Sequence, residues 1–139
     1  MSMSIPEKGS KGTAALTVTK ENTALAMGSG SLEVLATPAV AALMEKAACI
    51  ALEPFMEESV TTVGTLLNIE HISASPLGAE VKAEATLTEA DGRRFVFEVA
   101  ASDNAGLIAK GVHERFSVKK ESFMARAEAK LQTLKEEKE

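Results

Sequence analysis

The feature that most constrains this chain is the stretch from residue 37 to residue 52, in which Glu45 and Lys46 are the only charged residues. Small and apolar side chains fill nearly all of its other positions. Thr37 stands where an N-cap is favoured, Pro38 suits the first helical position, and a second proline follows shortly after the end. The stretch therefore predicts a helix that is apolar on nearly every side and must be enclosed by other elements.

Beyond residue 58 the hydrophobic period changes from that of a helix to that of a strand. Apolar and polar residues alternate across 81–88, and the pattern repeats around Phe95 and Phe97. Turn-forming segments with Pro, Gly, Asn or Asp separate the alternating segments, which predicts an antiparallel meander with hairpin connections. The predicted strands are 60–75, 78–89, 93–102 and 106–118.

A further short strand is predicted over residues 13–19, ahead of the helix. The order is then strand, helix and four antiparallel strands, and a strongly curved sheet can wrap an apolar helix. This predicts an α+β hot-dog fold, in which a curved antiparallel β-sheet is wrapped around a long central helix. Such a sheet rarely covers the whole helix alone, so a homodimer, or a tetramer made of two dimers, is expected.

Local composition divides the chain into three parts. Residues 1–12 are polar and Gly-containing, which predicts a flexible N-terminal leader. The folded domain is predicted to span residues 13–120. Residues 121–139 are rich in charges and helix-forming residues, which predicts a charged helical tail.

Composition disfavours several classes of function. The formal net charge is −5 without a run of Lys and Arg, and aromatic residues make up 4%, so nucleic-acid binding is disfavoured. Cys49 is the single cysteine, and two histidines with scattered acids have no metal-ligand spacing. No apolar run reaches the roughly 18 residues of a membrane span. We expect a cytoplasmic protein that uses no metal or cofactor and has no nucleic-acid or membrane partner.

Glu45 and His71 are the strongest candidates for chemistry. A carboxylate on an enclosed helix is costly unless it is paired or used, and the alternative for Glu45 is a gap in the sheet where it is solvated or bonded to an arginine. His71 shares a strand face with Leu67 and Ile69, and a histidine there is more often a core residue. Together the carboxylate and imidazole suit general-base catalysis. His113 has a weaker claim, since a structural hydrogen bond accounts for it.

Thr37 and Cys49 have simple structural explanations. Helix capping alone accounts for Thr37, although a helix N-terminus also offers N–H groups to a developing oxyanion. Cys49 has no cationic neighbour in sequence, which predicts an inert core thiol.

Three segments are informative as motifs: Thr-Pro-Ala-Val-Ala-Ala-Leu-Met-Glu-Lys-Ala-Ala-Cys over 37–49, Gly-Thr-Leu-Leu-Asn-Ile-Glu-His over 64–71, and Gly-Val-His-Glu-Arg over 111–115. Together they resemble the fluoroacetyl-CoA thioesterase family of the hot-dog superfamily. The likeness extends from about residue 18 to residue 123, nearly the whole predicted domain.

The resemblance implies an enzyme that hydrolyses a short acyl-CoA thioester, with acyl-CoA as its partner. It places Thr37, Glu45 and His71 on the family's catalytic positions and Gly64 on a substrate-binding position. The threonine then lies beside the thioester, the histidine acts as base, and the glutamate is either the nucleophile or the group that orients water.

Two positions depart from the fluoroacetyl-specific pattern. Bulky aromatics precede the threonine in that enzyme, whereas residues 28–32 here read Gly-Ser-Gly-Ser-Leu, and Pro38 replaces the glycine that follows the threonine. These departures argue against selectivity for fluoroacetate. Two alternatives remain open: a non-catalytic hot-dog protein that binds acyl-CoA or another small ligand, and an enzyme that acts on an acyl-carrier-protein adduct.

Overall fold

The computed structural model describes residues 5–138, with side chains described as far as Thr133. Its elements are β1 (Lys11–Thr17), α1 (Ala24–Met27), α2 (Thr37–Leu52), β2 (Val60–His71), β3 (Glu80–Asp91), β4 (Arg94–Asp103), β5 (Gly106–Lys119) and α3 (Lys120–Lys138). Short 3-10 turns occupy Lys20–Asn22 and Glu53–Phe55. Residues 1–4 of the predicted leader and residue 139 of the predicted tail lie outside the described part.

The strands form one antiparallel sheet in the order β1-β3-β4-β5-β2, and the sheet curls around α2. This is the predicted α+β arrangement of a curved sheet and a central helix. Alternate residues of β3 and β4 point at the helix and are buried: Val81, Ala83, Ala85, Leu87, Phe95, Phe97 and Val99. Because successive side chains of a strand point to opposite faces, the period-two pattern in the sequence is what places the core on one side.

Close packing of β1 against α2 depends on a glycine. A Cβ atom at Gly12 would overlap the Ala47 carbonyl of the helix and lie 2.5 Å from the Ala51 backbone nitrogen. Pairing also begins before β1, since the Gly9 N–H bonds the Leu87 carbonyl at 2.8 Å. Residues of the range predicted as a leader therefore already take part in sheet pairing.

The predicted meander is correct for β3, β4 and β5 but wrong for β2. β2 pairs with β5, at the opposite edge of the sheet from β1, and does not pair with β3. The segment 76–78 therefore lies in a crossing connection, and the N–H groups of Ile72 and Ser73 both bond the Ile108 carbonyl on the way. Turn-forming residues specify a change of direction, but they do not specify which strand becomes the neighbour.

Helix α2 covers the predicted residues, but the prediction that it is buried on nearly every side is wrong. The sheet curls around one side only, and that side of the helix is buried. Pro38, Ala42, Lys46, Cys49 and Ile50 form an exposed stripe along the other side. Cys49 is therefore not a core thiol. The stripe is poor in charge for a solvent-facing surface.

Strand β2 is an edge strand. It has β5 on one side and no strand on the other among the described residues. Its backbone N–H and C=O groups on that side are available for pairing with another chain. Within residues 5–138, no helix has the length and apolar character needed to span a membrane.

Candidate active site

Thr37 and His71 form the first half of the predicted site, the Thr37–His71 pair. Thr37 begins α2 and His71 ends β2, and Thr37 Oγ1 lies 2.8 Å from His71 Nδ1, at hydrogen-bonding distance. The predicted N-cap role of Thr37 is wrong, because the helix begins one residue earlier than expected and Ala36 is the N-cap, without a side-chain cap bond. The hydroxyl that was expected to cap the helix instead contacts the histidine.

The other ring nitrogen of His71, Nε2, is buried and makes no hydrogen bond among the described residues. A polar atom left in this state costs roughly 1–3 kcal/mol, so it calls for an explanation. The ring borders a recess of about 280 Å³ that is also lined by Thr37, Leu35 and Ile72.

The start of α2 offers fewer free N–H groups than the sequence suggests. Pro38 has no N–H, and the N–H groups of Ala39 and Val40 both bond the Ala36 carbonyl, at 3.0 and 3.1 Å. A developing oxyanion beside His71 would therefore find at most the Thr37 N–H and the Thr37 hydroxyl at this helix end.

Glu45 lies at a second place, two turns further along α2. Its Oε2 is 3.3 Å from Nη1 of Arg115 on β5, and its side chain is 42% exposed. The expectation of an enclosed carboxylate is wrong, because Glu45 lies at the margin of the exposed stripe. The structure has the alternative arrangement, in which Arg115 pairs with the partly solvated carboxylate of Glu45.

Arg115 is held firmly behind Glu45. Its Nε donates to Thr62 Oγ1 at 2.9 Å and its Nη2 to the Thr62 carbonyl at 3.0 Å. Its Nη1 also lies 3.1 Å from His113 Nε2. Only 7% of Arg115 is exposed. A guanidinium bonded on this many sides has little freedom to turn, so it presents Nη1 to Glu45 in one orientation.

His113 is the residue that completes this arrangement. Its Nδ1 lies 2.8 Å from the Leu66 carbonyl, which can only accept, so Nδ1 carries the proton and Nε2 is free to accept from Arg115. Burial lowers the pKa of His113, and the nearby Arg115 lowers it further, against the opposing effects of the Leu66 hydrogen bond and Glu45. The two hydrogen bonds and the lowered pKa both favour the neutral imidazole. The structural hydrogen bond expected for His113 is present.

Gly64 provides the room that Glu45 needs. A Cβ atom at this position would lie 2.6 Å from Glu45 Oε2 and 3.3 Å from both Arg115 Nη1 and His113 Cε1. Any larger residue would push the carboxylate away from the strand. We refer to Glu45, Thr62, Gly64, His113 and Arg115 as the Glu45–Arg115 cluster.

The fold therefore brings the four predicted site residues together as two separate pairs. Thr37 contacts His71, and Glu45 contacts the strand at Gly64. Glu45 lies eight positions after Thr37 on the helix, which is about 12 Å along the axis. Among the described residues, Glu45 makes no hydrogen bond to Thr37 or His71.

Comparisons with known proteins identify the family to which the chain belongs. The family model of the fluoroacetyl-CoA-specific thioesterases matches residues 18–121. The fluoroacetyl-CoA thioesterase of Streptantibioticus cattleyicolor is 36% identical over 98 residues, which is 70% of either chain. This chain belongs to the fluoroacetyl-CoA thioesterase family.

Solved structures support the same assignment. The fluoroacetyl-CoA thioesterase FlK matches with a TM-score of 0.84 and 30% identity, over 89% of this chain and 96% of that chain. A thioesterase superfamily member from Thermus thermophilus matches with a TM-score of 0.80 and 28% identity, over 95% of both chains. The predicted hot-dog fold and the predicted class of enzyme, an acyl-CoA thioesterase, are confirmed.

Two residues of the Glu45–Arg115 cluster, Arg115 and Thr62, were not predicted as site residues from the sequence. Arg115 is 70 positions from Glu45 and 53 positions from Thr62, so no local pattern joins the three. One signal was available: by period two, His113 and Arg115 share the strand face that contains the core, and an arginine on that face requires a carboxylate. Across the described residues no group of His, Cys, Asp and Glu side chains is arranged to hold a metal ion.

Proposed function

We propose that this chain hydrolyses a short-chain acyl-CoA thioester to the free acid and CoA, and that it does so as a homodimer with Thr37, Glu45 and His71 as its catalytic residues. The observation that carries the proposal is the Thr37–His71 pair, whose buried Nε2 has no hydrogen-bond partner in the described part of the chain and borders a recess. A recess of about 280 Å³ suits a small acyl group better than a long chain.

The chemistry of the Thr37–His71 pair follows from the tautomer. For Nε2 to accept a proton from water, Nδ1 must carry the ring proton and donate it to Thr37 Oγ1. The hydroxyl hydrogen of Thr37 is then free to bond the thioester carbonyl oxygen. One pair thus supplies both a base and an oxyanion donor.

Glu45 supplies the charged group of the reaction. Either its carboxylate attacks the thioester carbon, releases the CoA thiolate and forms an anhydride that water then opens, or it orients the water that attacks directly. In both cases the bonds from Arg115 fix where the carboxylate points. A single turnover in ¹⁸O-labelled water separates the two. Direct attack by water places one ¹⁸O atom in the product acid, whereas an anhydride that water opens at the Glu45 carbonyl leaves both oxygens of the acid unlabelled and transfers the ¹⁸O to Glu45.

A second copy would unite the two halves of the site. The free edge of β2 can pair with the same edge of another chain in antiparallel fashion. A two-fold axis near Leu67 and Asn68 would set His71 of one copy opposite Gly64 of the other. The Thr37–His71 pair of each chain then faces the Glu45–Arg115 cluster of its mate.

The exposed stripe of α2 supports the same assembly. Ala42, Cys49 and Ile50 are apolar side chains left open in the single chain, on the helix that borders β2. A copy that pairs along β2 would also cover part of this stripe, and burial of apolar surface stabilises such contacts. Sedimentation at micromolar concentration should give about twice the chain mass, and a folded monomer would contradict this part of the proposal.

The primary test is thiol release from a panel of acyl-CoA esters of increasing chain length, with fluoroacetyl-CoA and acetyl-CoA among them. We expect turnover of the short esters. Binding of acyl-CoA without release of thiol would contradict the proposal and favour a non-catalytic ligand-binding protein.

A mixing experiment tests whether the site is shared between two copies. His71→Ala and Glu45→Gln chains are each expected to be inactive alone. In a mixed dimer one of the two shared sites contains both native residues, so random assembly should restore about a quarter of wild-type activity. If each chain carries a complete site of its own, mixing restores nothing.

A further inference from the structure

The chain is acidic overall, but its fold gathers cations at one end of the sheet. Arg93 in the turn between β3 and β4, Lys119 at the end of β5 and Arg126 on α3 line one recess of about 410 Å³. The net charge of the protein is −5. The three cations come from separate segments, so the sequence does not show them as a cluster of basic residues.

Among the described residues, none of those that line this recess is acidic. Within the described part of the chain, none of Arg93, Lys119 and Arg126 forms an ion pair. The adjoining recess differs, since Glu58 and Glu121 stand there beside Lys119. Unpaired like charges repel one another, so an anion between the three cations would stabilise the recess.

The Ser117 hydroxyl opens on the same recess. The Ser117 residue as a whole is 5% exposed, and its side chain makes no hydrogen bond among the described residues. The one buried side-chain atom without a partner in the described part of the chain is His71 Nε2, so Ser117 Oγ is open to the recess that it lines with the three cations. Ser122, at the start of α3, adds a second hydroxyl, which donates a long hydrogen bond of 3.4 Å to the Lys119 carbonyl. Cations together with hydroxyl donors are the groups that bind phosphate oxygens.

Strand β5 connects this recess with the candidate active site. Ser117 follows Arg115 by two positions, on the same buried face, so their Cα atoms lie about 7 Å apart. Arg115 contacts Glu45. A CoA thioester whose acyl end lies at the active site must extend its pantetheine arm away from it, and that arm ends in a diphosphate and a 3′-phosphate.

We propose that this recess, lined by Arg93, Ser117, Lys119, Ser122 and Arg126, is a phosphate pocket that binds the phosphate groups of the CoA nucleotide. The identity of the ligand rests on the proposed function. The affinity for phosphate groups rests on the three cations and on the Ser117 hydroxyl that lines the recess with them.

The kinetic test replaces Arg93 and Arg126 together by glutamine and compares acyl-CoA with the corresponding acyl-pantetheine, which has no phosphate. We expect KM for acyl-CoA to rise about 3- to 20-fold, the combined worth of two exposed charge contacts, while kcat stays within about twofold. KM for acyl-pantetheine should be unchanged. Lys130→Gln, on the same helix and outside the recess, is the matched control. An unchanged KM for acyl-CoA overturns the proposal.

A binding test separates this proposal from the proposed function. Calorimetry with adenosine 3′,5′-bisphosphate requires no turnover and should show weaker binding by the double variant than by the wild type. Should the wild type cleave no thioester but bind this nucleotide through the two arginines, the phosphate pocket stands and the proposed function falls. Equal binding by wild type and variant overturns the pocket whether or not thioesters are cleaved.

Two further measurements complete the test of the phosphate pocket. Inorganic phosphate, at the same concentrations, identifies a site for free phosphate if it binds as tightly as the nucleotide, and that result overturns the assignment to CoA. Replacing both arginines by lysine keeps the charges, so this variant should retain most of the affinity even if the glutamine variant folds poorly. Loss of affinity in a folded lysine variant would contradict a charge-based pocket.

Discussion

Both halves of the candidate site use helix α2 and strand β2, and the Glu45–Arg115 cluster also uses β5, but the chain completes only this second half. In the Glu45–Arg115 cluster, Arg115 bonds Thr62, His113 and Glu45, and is almost fully buried. In the Thr37–His71 pair, one hydrogen bond joins the two side chains and Nε2 has no partner among the described residues. The Glu45–Arg115 cluster is organised before any ligand arrives, whereas the Thr37–His71 pair is left open to what binds next to it.

The largest effect should come from the open half. His71→Ala removes the proposed base and should lower thioester hydrolysis by roughly 10²- to 10⁴-fold. Lys82→Ala, at an exposed position of β3 away from the proposed dimer edge, is the control and should stay near wild type. Steady-state thiol release measures both. Activity near wild type in His71→Ala would place the base elsewhere and remove the functional contrast between the two halves.

Glu45→Gln tests the organised half. The amide retains the shape but loses the charge and basicity that either role of Glu45 requires, so turnover should fall by at least about 10²-fold. Thermal stability should change by no more than a few degrees, because the ion pair with Arg115 is partly exposed. Binding of a non-hydrolysable CoA thioether, measured by calorimetry, should be largely retained.

Glu53→Gln, at the exposed end of the same helix, is the matched control. Retained turnover in Glu45→Gln would leave the Glu45–Arg115 cluster with a structural role only. Loss of CoA-thioether binding together with turnover would assign Glu45 to binding instead of chemistry.

Gly64→Ala displaces the carboxylate without removing it. The added Cβ would lie 2.6 Å from Glu45 Oε2, and a small misplacement of a catalytic group lowers the rate by roughly 10- to 100-fold. The same change made in a Glu45→Ala background should cost less stability than in the wild type, because the clash is gone. If Gly64→Ala lowers the free energy of unfolding by the same amount in both backgrounds, the carboxylate does not lie against the strand.

The smallest effect should be a pH dependence of stability that comes from His113. Burial lowers its pKa below the usual value of 6.5, so the unfolded chain takes up a proton first as the pH falls. The stability contributed by neutral His113 is therefore present above about pH 6.5 and is lost as the pH falls through and below that value. A tenfold difference in proton affinity between the folded and unfolded chains corresponds to about 1.4 kcal/mol, which sets the scale of the effect.

Thermal melts between pH 7.5 and 5.5 would measure this slope. His113→Gln removes the titrating group while its side-chain oxygen can still accept from Arg115, so the slope should flatten. The hydrogen bond from Ser75 lowers the pKa of Asp103 below its usual 3.8, so that group acts at more acidic pH, outside this window. A slope that persists in His113→Gln would assign the titration to another group.

The elements of this fold can be predicted from local sequence because their patterns are local. Residues 37–52 form a helix as predicted. Strands β3, β4 and β5 follow from the alternation of apolar and polar residues and from the turns that separate them. The neighbour of β2 could not be predicted, since a pairing between residues some 50 positions apart leaves no local pattern. The exposed stripe of α2 was missed for a related reason: apolar composition indicates burial but does not say by which chain.

The site was predictable as two separate contacts but not as an arrangement. The motifs name Thr37, Glu45 and His71, yet only the fold separates Glu45 from the other two and pairs it with Arg115. The expected cap at Thr37 was wrong because one residue of helix register decides whether a hydroxyl meets its own helix or a neighbouring strand. Local sequence does not define the first residue of a helix that finely.

Strand β2 presents twelve residues with one side unpaired in the described part of the chain, and Leu66 in its middle is 47% exposed. Under the proposed pairing, protein concentration becomes a variable that governs the lifetime of the enzyme. Dilution would open the shared site and, at the same time, free an edge that accepts other extended chains. Separated chains that meet in the wrong register would not return to the active dimer, so activity lost on dilution would be only partly recovered when the sample is concentrated again.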